Sequence, residues 1–300
     1  MRRATLTLVG LVTAGLAVSG CGSSSLDSSG SSPKAKVSVG GVDQAAAAKV
    51  PAAIKSKGTL VVGTDASYAP SEIIASDGKT IQGFDIDLFN AVAKTLGLKA
   101  TFQNAKFDSI ISGVTSGKYD VGVSSFSVTA DREKQATMVS YFTAGTLWAV
   151  ASGNPKKVDP TKPCGINIAV QTGTTQALEQ LPPLVKACKQ AGKAPHVDSY
   201  DGQDQATASV VSGKDDAMLA DSPVIADAVK HTNGKLESVG QIFASAPYGY
   251  VLPKSETNFG EAIVAALKVL KADGKYDAIL KNWGVQQGAI SDFTVNPPAS

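Results

Sequence analysis

The phrase VTSGKYDVGVSS, residues 114–125, returns as VVSGKDDAMLAD at residues 210–221. In both, a valine precedes Ser-Gly-Lys and an aspartate leads into a mostly apolar run. A second pair of phrases matches in the same order. INIAVQTGTTQAL (166–178) parallels LVVGTDASYAP (60–70). One shared tripeptide is plausible by chance; two matches in one order are the mark of an internal duplication, which sets architecture before any single element does. The chain is expected to hold two similar α/β lobes.

Working outward, Leu60–Gly63 reads as an apolar strand running into a polar turn closed by Pro70. In GFDIDLFNAVAKTLGL (83–98), Ile86, Phe89, Val92, Ala93 and Leu96 fall at helical spacing and Gly97 stops the helix. KATFQNA (99–105) is a second strand, FDSIISGVTSGKYD (107–120) a helix ending near Gly117, and DVGVSS a third strand. Strands alternating with helices predict parallel βαβ units. Ligands of such sheets bind beyond the carboxyl ends of the strands. Four such ends stand out: Thr64–Tyr68, Ser124–Ser127, Gln171–Thr175 and Ala220–Asp221. If the lobes face each other, these turns line one cleft, and Asp221 occupies the place that Ser125 has in the first lobe.

Composition narrows the function classes. The chain has 300 residues, 43% hydrophobic and 18% charged, with net charge +2. That describes a globular protein of one or two domains. Nothing in the charge suits nucleic acid or a membrane surface. No zinc-type spacing, Walker loop or G-x-G-x-x-G is present, so no metal and no cofactor is expected. Residues 1–20 read as a signal peptide: Arg2 and Arg3, an apolar Leu6–Val18, then small residues before Cys21. VSGC (18–21) resembles the bacterial lipobox. That implies cleavage before Cys21 and lipid on its thiol and amine; an uncleaved membrane helix is the alternative. Residues 21–50 are Ser/Gly-rich and expected to be a flexible tether, with the fold beginning near Val50. An exported chain permits disulfides. Cys164 and Cys188 remain, and are expected to pair with each other rather than stay as buried free thiols.

The segment SSFSVTADREK (124–134) sets three serines and a threonine beside Arg132. Alone, it reads equally as a strand end, a helix cap at Thr129 and a solvated arginine. Together with GTDASYAP, GFDIDL, VQTGTTQ, DAMLADSP and the C-terminal ALKVLKADGKYDAILKNWG, it resembles the solute-binding proteins of polar amino-acid ABC transporters, over about Gly58 to Gly284. The motifs TDASYAP and SSFSVT look closest to lysine/arginine/ornithine and histidine binders, with glutamine binders next.

The resemblance implies a two-lobe periplasmic-binding-protein-like fold (type II). Two crossover strands join the lobes, near Ala144–Trp148 and Phe243–Tyr248. Lobe 1 would take residues 51–145 and 247–300, and lobe 2 residues 146–246. Gly145 and Gly249 suit hinges, though each also suits an ordinary turn. An amino-acid ligand, ABC permease subunits, a monomeric state and a membrane held through the Cys21 lipid follow as expected partners and setting. No catalytic residue is expected.

Within the cleft, Arg132 suits a ligand carboxylate, because a planar guanidinium can grip it through two charge-assisted bonds. Ser124, Ser125 and Ser127 add neutral groups, and the Thr174 and Thr175 amides add donors. Asp221 suits the ammonium, its alternative being a cap for the helix that follows. Tyr68 and Phe107 map to aromatic walls. Asp65 lies where the family meets the far end of the ligand side chain, which favours a cationic or amide side chain over an acidic one. Gln171, Ala220 and Ser71 depart from family patterns and leave the particular ligand open. A dehydratase enzyme or an amino-acid sensor on the same fold are the competing readings; His196 and His231 lie outside the four turns.

Overall fold

The computed structural model describes residue 1 and residues 37–299, and in it the repeated phrase performs one task twice. Helices Phe107–Thr115 and Gln203–Ser212 each run into the Ser-Gly-Lys step. Gly117 and Gly213 take φ of 79° and 78°, the left-handed region that glycine enters without a Cβ penalty. The aspartate that follows then fastens the next strand. Asp120 Oδ2 accepts the Val61 N–H at 2.7 Å, and Asp216 Oδ2 accepts the Asn167 N–H at 2.9 Å. Each aspartate's own N–H donates to the carbonyl of that same partner, at 2.8 and 2.9 Å. A lysine pairs with each carboxylate, Lys57 in the first lobe and Lys156 in the second.

The strands are β1 (Thr59–Thr64), β2 (Ser67–Tyr68), β3 (Glu72–Ile74), β4 (Ile81–Gln82), β5 (Lys99–Asn104), β6 (Val121–Gly122), β7 (Ala136–Ala151), β8 (Asn167–Gln171), β9 (His196–Tyr200), β10 (Ala217–Asp221) and β11 (Leu236–Pro253). Eight of them form one sheet in the order β5-β1-β6-β11-β7-β10-β8-β9, and β2-β3-β4 form a small antiparallel sheet. The trios β5-β1-β6 and β10-β8-β9 are parallel. Between them lies the long antiparallel pair β7/β11. The expected mixed α/β architecture of two lobes joined by two crossover strands is present.

The β7/β11 pair is where the halves join. Its register shifts between Val239 and Phe243, between Phe243 and Ala246, and between Tyr248 and Gly249. Ala244 takes φ of 48°. Irregularities of this kind bend and twist a strand locally. Gly145 and Gly249 lie inside strands, not in turns.

Apolar packing follows the periodicities. Helix Phe84–Thr95 buries Phe84, Leu88, Phe89 and Val92 in a first-half core with Tyr141, Tyr250 and Phe259. In the second half, Trp148, Ile168, Val170 and Leu219 pack on one side of the strands; Ala169, Met218, Ala220 and Ile225 pack in a separate cluster. Near the C-terminus, Val295 bridges Val139, and Asn296 Oδ1 accepts the Met138 N–H at 2.9 Å. The chain thus returns to the first half.

One expectation needs correction. The fold does not begin at Val50. Residues Gln44–Ala48 form a short helix whose N-terminal N–H of Ala46 is capped by the Asp43 carboxylate at 2.8 Å. Ala46 and Val50 are buried in the first-half core, with Val37 and Val39 packed against it. Composition hid this because small residues suit both a linker and a close helix contact. The signal peptide and the Cys21 lipid site lie outside the described residues. Cys164 and Cys188 are disulfide-bonded, with the second in helix Leu181–Gln190. Among the described residues no helix is long and apolar enough to cross a membrane.

Candidate functional site

The strand ends converge as the duplication requires. Tyr68, Phe107, Ser125, Ser127 and Arg132 from the first half meet Thr174, Thr175, Gln176 and Asp221 from the second around one small cavity. Eight of these nine were expected; Gln176 was not singled out, although it ends the motif VQTGTTQ.

Arg132 enters from helix Ala130–Gln135, whose N-cap is Thr129: its Oγ1 accepts the Arg132 N–H at 3.3 Å. The solvated-arginine reading is therefore wrong for the side chain, which is 8% exposed. Its Nη1 donates to the Ser127 carbonyl at 2.9 Å and its Nη2 to the Gly173 carbonyl at 3.1 Å. The guanidinium lies 5.4 Å from the ring centres of both Phe107 and Phe126, and those rings stack at 4.5 Å. Burial lowers its pKa and the Asp221 charge opposes that; a guanidinium stays charged at any physiological pH.

Asp221 stands at the N-cap position of helix Ser222–His231, yet its side chain makes no capping bond. It turns instead to the cavity. Its Oδ1 accepts from Gln176 Nε2 at 2.8 Å and its Oδ2 from Tyr248 Oη at 2.6 Å. Its N–H donates to Tyr68 Oη at 3.2 Å. Burial raises its pKa, while the bonds from Tyr248, Tyr68 and Gln176 and the charge of Arg132 oppose the rise. A buried carboxylate and a buried guanidinium thus face one small cavity without bonding each other.

Ser125 takes φ of 49°, a conformation that costs a non-glycine residue energy and collects at functional sites. Thr174, Thr175 and Gln176 lie at the start of the helical run Gln176–Gln190, where aligned peptide dipoles favour an anion.

Three expected residues sit elsewhere. Asp65, Ser124 and Gln171 do not line this cavity. Asp65 Oδ2 accepts the Phe107 N–H at 3.0 Å and Gln171 Nε2 at 2.7 Å. Burial raises the Asp65 pKa, and bonds from Ser67 and Phe107 oppose it. Asp65 also borders a second, open groove with Asn104, Ala105, Lys106, Asp201 and Gly202. Under the repeat alignment Asp65 and Gln171 are equivalent positions, so their bond ties the two halves at matching strand ends. Ser124 Oγ accepts the Asp65 N–H at 3.0 Å and donates to Glu72 Oε1 at 2.9 Å.

Besides Gln176, reading the sequence missed Tyr248, Phe126, Glu72 and Asp85. Tyr248 and Phe126 fall on apolar strand-like stretches, where an aromatic reads as core. The buried acids had a weak signal: Glu72 precedes Ile73 and Ile74, and Asp85 lies between Phe84 and Ile86.

The model of the bacterial extracellular solute-binding proteins, family 3, matches residues 60–286, and the protein belongs to that family. The arginine-binding protein ArgT of Corynebacterium glutamicum is 33% identical over 250 residues, covering 83% of this chain and 82% of that protein. An ancestral arginine-binding protein solved with arginine bound superposes with a TM-score of 0.69 at 36% identity, covering 76% of this chain and 98% of that one. The ancestral amino acid-binding protein AncCDT-1, a precursor of cyclohexadienyl dehydratase, gives 0.67 at 34% identity, covering 77% and 97%.

Proposed function

We propose that this protein is the lipid-anchored, extracytoplasmic binding subunit of an amino-acid ABC importer, and that it captures a cationic L-amino acid as its halves close. Arginine, lysine and ornithine are the preferred ligands, with glutamine or histidine next. The observation that carries the reading is the pair Arg132 and Asp221, both buried and facing one cavity. Free amino acids bear a carboxylate and an ammonium on one carbon, and these two side chains complement both charges. Ser127 and the helix start at Thr174–Gln176 add donors for the carboxylate; Tyr68 and Phe107 wall the side chain. Asp65 receives the distal cation, which takes over the place that Gln171 Nε2 holds here. The arginine-binding relatives point the same way. Residues 37–145 and 247–299 would move as one body and 146–246 as the other, and a permease would receive the closed form.

Calorimetry of the purified chain against the common amino acids plus ornithine tests this. Cationic ligands should bind tightest and glutamate weakest; glutamate as the tightest ligand would overturn the assignment. Anchoring is tested separately. Cys21→Ser should move the protein from the membrane fraction to the soluble fraction, and a variant that still sediments has another tether. The likeness to a dehydratase precursor motivates one control: incubation with prephenate-type acids, followed by NMR, should yield no product.

A further inference from the structure

Behind the cavity two acids are buried together. Glu72 opens β3 and Asp85 lies in the first turn of helix Phe84–Thr95. Both are 0% exposed. Gly83 permits the approach: a Cβ there would fall 1.8 Å from the Ser71 carbonyl oxygen. With glycine, the Asp85 N–H donates to that carbonyl at 3.1 Å.

Each carboxyl has one oxygen bonded and one without a donor. Glu72 Oε1 accepts from Ser124 Oγ. Asp85 Oδ2 accepts the Ser125 N–H at 2.9 Å, Ser125 Oγ at 3.2 Å and Tyr141 Oη at 2.6 Å. Glu72 Oε2 and Asp85 Oδ1 are buried with no partner of the usual kind, while the two carboxyls lie within hydrogen-bonding reach of each other. The titratable groups that face them are Asp65 and the tyrosines 68, 141, 248 and 250, none of them cationic. No ion pair among the described residues includes either acid. Two adjacent carboxylates without a cation would repel in a medium of low polarity. One proton between them removes a charge and joins both unpartnered oxygens.

We propose that Glu72 and Asp85 share a single proton, carried by Glu72, and that this acid pair is the positioning group for the Ser124–Ser125 turn at the cavity. Glu72 holds Ser124 and Asp85 holds Ser125 in its left-handed conformation, so the protonated pair sets the shape of the turn. Three donors converge on Asp85 and one on Glu72, which makes Asp85 the carboxylate and Glu72 the acid. Burial, then the Asp85 charge, pushes Glu72 well up; burial raises Asp85 to about 6 against the bonds from Tyr141 and Ser125.

The expected pH dependence has a definite sign. A carboxyl whose folded pKa exceeds its unfolded value, about 4.3 for glutamate, binds more protons in the native state. Its stabilising effect is complete below that value and is lost as pH rises through the folded pKa. Two measurements on the purified chain decide. With carbon-13 in the glutamate side-chain carboxyls, wild type should show one carboxyl still un-ionised at pH 7, and Glu72→Gln should lack it. The Tm of wild type should fall from pH 5 to 9, and Glu72→Gln, whose amide can still donate to Asp85 and accept from Ser124, should flatten that fall. The Ser124 and Ser125 amide resonances should titrate with the pair in wild type and stay fixed in the variant. If every glutamate carboxyl of wild type is ionised at pH 7, the shared proton does not exist, and that result needs no variant to fold. A folded Glu72→Gln with the wild-type pH slope would equally overturn it.

Discussion

Arg132 shows how one side chain can be both wall and anchor. Its fixed bonds go to two carbonyls, Ser127 in one half and Gly173 in the other, and it lines the cavity together with Phe107 and Asp221. A guanidinium has five donors, so these two bonds leave donors for a ligand carboxylate. Each charge-assisted bond contributes about 1.5–3 kcal/mol. Arg132→Ala should therefore weaken every α-amino-acid ligand by roughly a hundredfold or more on the scale of 1.4 kcal/mol per decade. Calorimetry reads this directly, and a variant within a few-fold of wild type would mean that Arg132 does not touch ligand. Asp65→Asn separates ligands instead of abolishing binding. It should cost a cationic ligand about tenfold, about 1.4 kcal/mol, and glutamine much less. An unchanged arginine-to-glutamine preference would pass the specificity role to Gln171 and the aromatic walls.

Among elements, the strand β3 and the helix Phe84–Thr95 matter beyond their size. Apolar periodicity and the left-handed Gly97 after its last turn explain why the helix forms and where it stops, but its place is set by Gly83, which lets its first turn abut Ser71. Gly83 takes φ of 150°, and the Cβ of any other residue would collide with backbone, which cannot swing aside like a side chain. Gly83→Ala should lower the urea midpoint by an amount corresponding to several kcal/mol, in the range of severe strain and overpacking. It should also disturb the Ser125 amide, because Asp85 moves with the helix. A variant with the wild-type midpoint would show that the strand yields freely. The disulfide acts on a different element. It links residues 24 apart, a loop for which chain entropy predicts about 3 kcal/mol. Cys164→Ser with Cys188→Ser should lose stability of that order in equilibrium unfolding.

At the scale of the whole molecule, the halves are tied by bonds across the cleft: Asp65 to Gln171, Tyr68 to Asp221, Arg132 to Gly173, and Ser67 Oγ accepting the Gln203 N–H. The exposed Lys106–Asp201 pair adds little, since two solvated side chains gain scant energy from pairing. A ligand between Arg132 and Asp221 adds contacts to both halves. At a free concentration one hundred times Kd it should raise unfolding stability by about 2.7 kcal/mol. Hydrogen exchange should slow on both sides of the cavity, in residues 124–132 and 171–176. Protection on one side alone would mean that the ligand does not bridge.

The duplication, the βαβ order and the cavity-facing turns were legible in the chain itself, while most lining residues were named through the family resemblance. The former rest on short-range physics: helical and strand periodicity, glycine at left-handed positions, and the repeated aspartate before each third strand. Asp221 became a candidate because the repeat put it at a strand end, and Arg132 because the segment 124–134 resembles that of the family. What sequence could not decide was which polar side chains spend their bonds on each other. Asp65 and Gln171 were both read as ligand contacts, yet they bond each other across the halves, a pairing between residues 106 positions apart. Asp221 has the sequence position of a helix cap, and only its surroundings (Gln176, Tyr248 and Tyr68) turn it toward the cavity. The short helix before Val50 was lost for the same reason, since alanines reveal a packing role only when a partner surface is present. Burial decides such cases: a polar group removed from water must find a partner, and in this fold the partners come from remote parts of the chain.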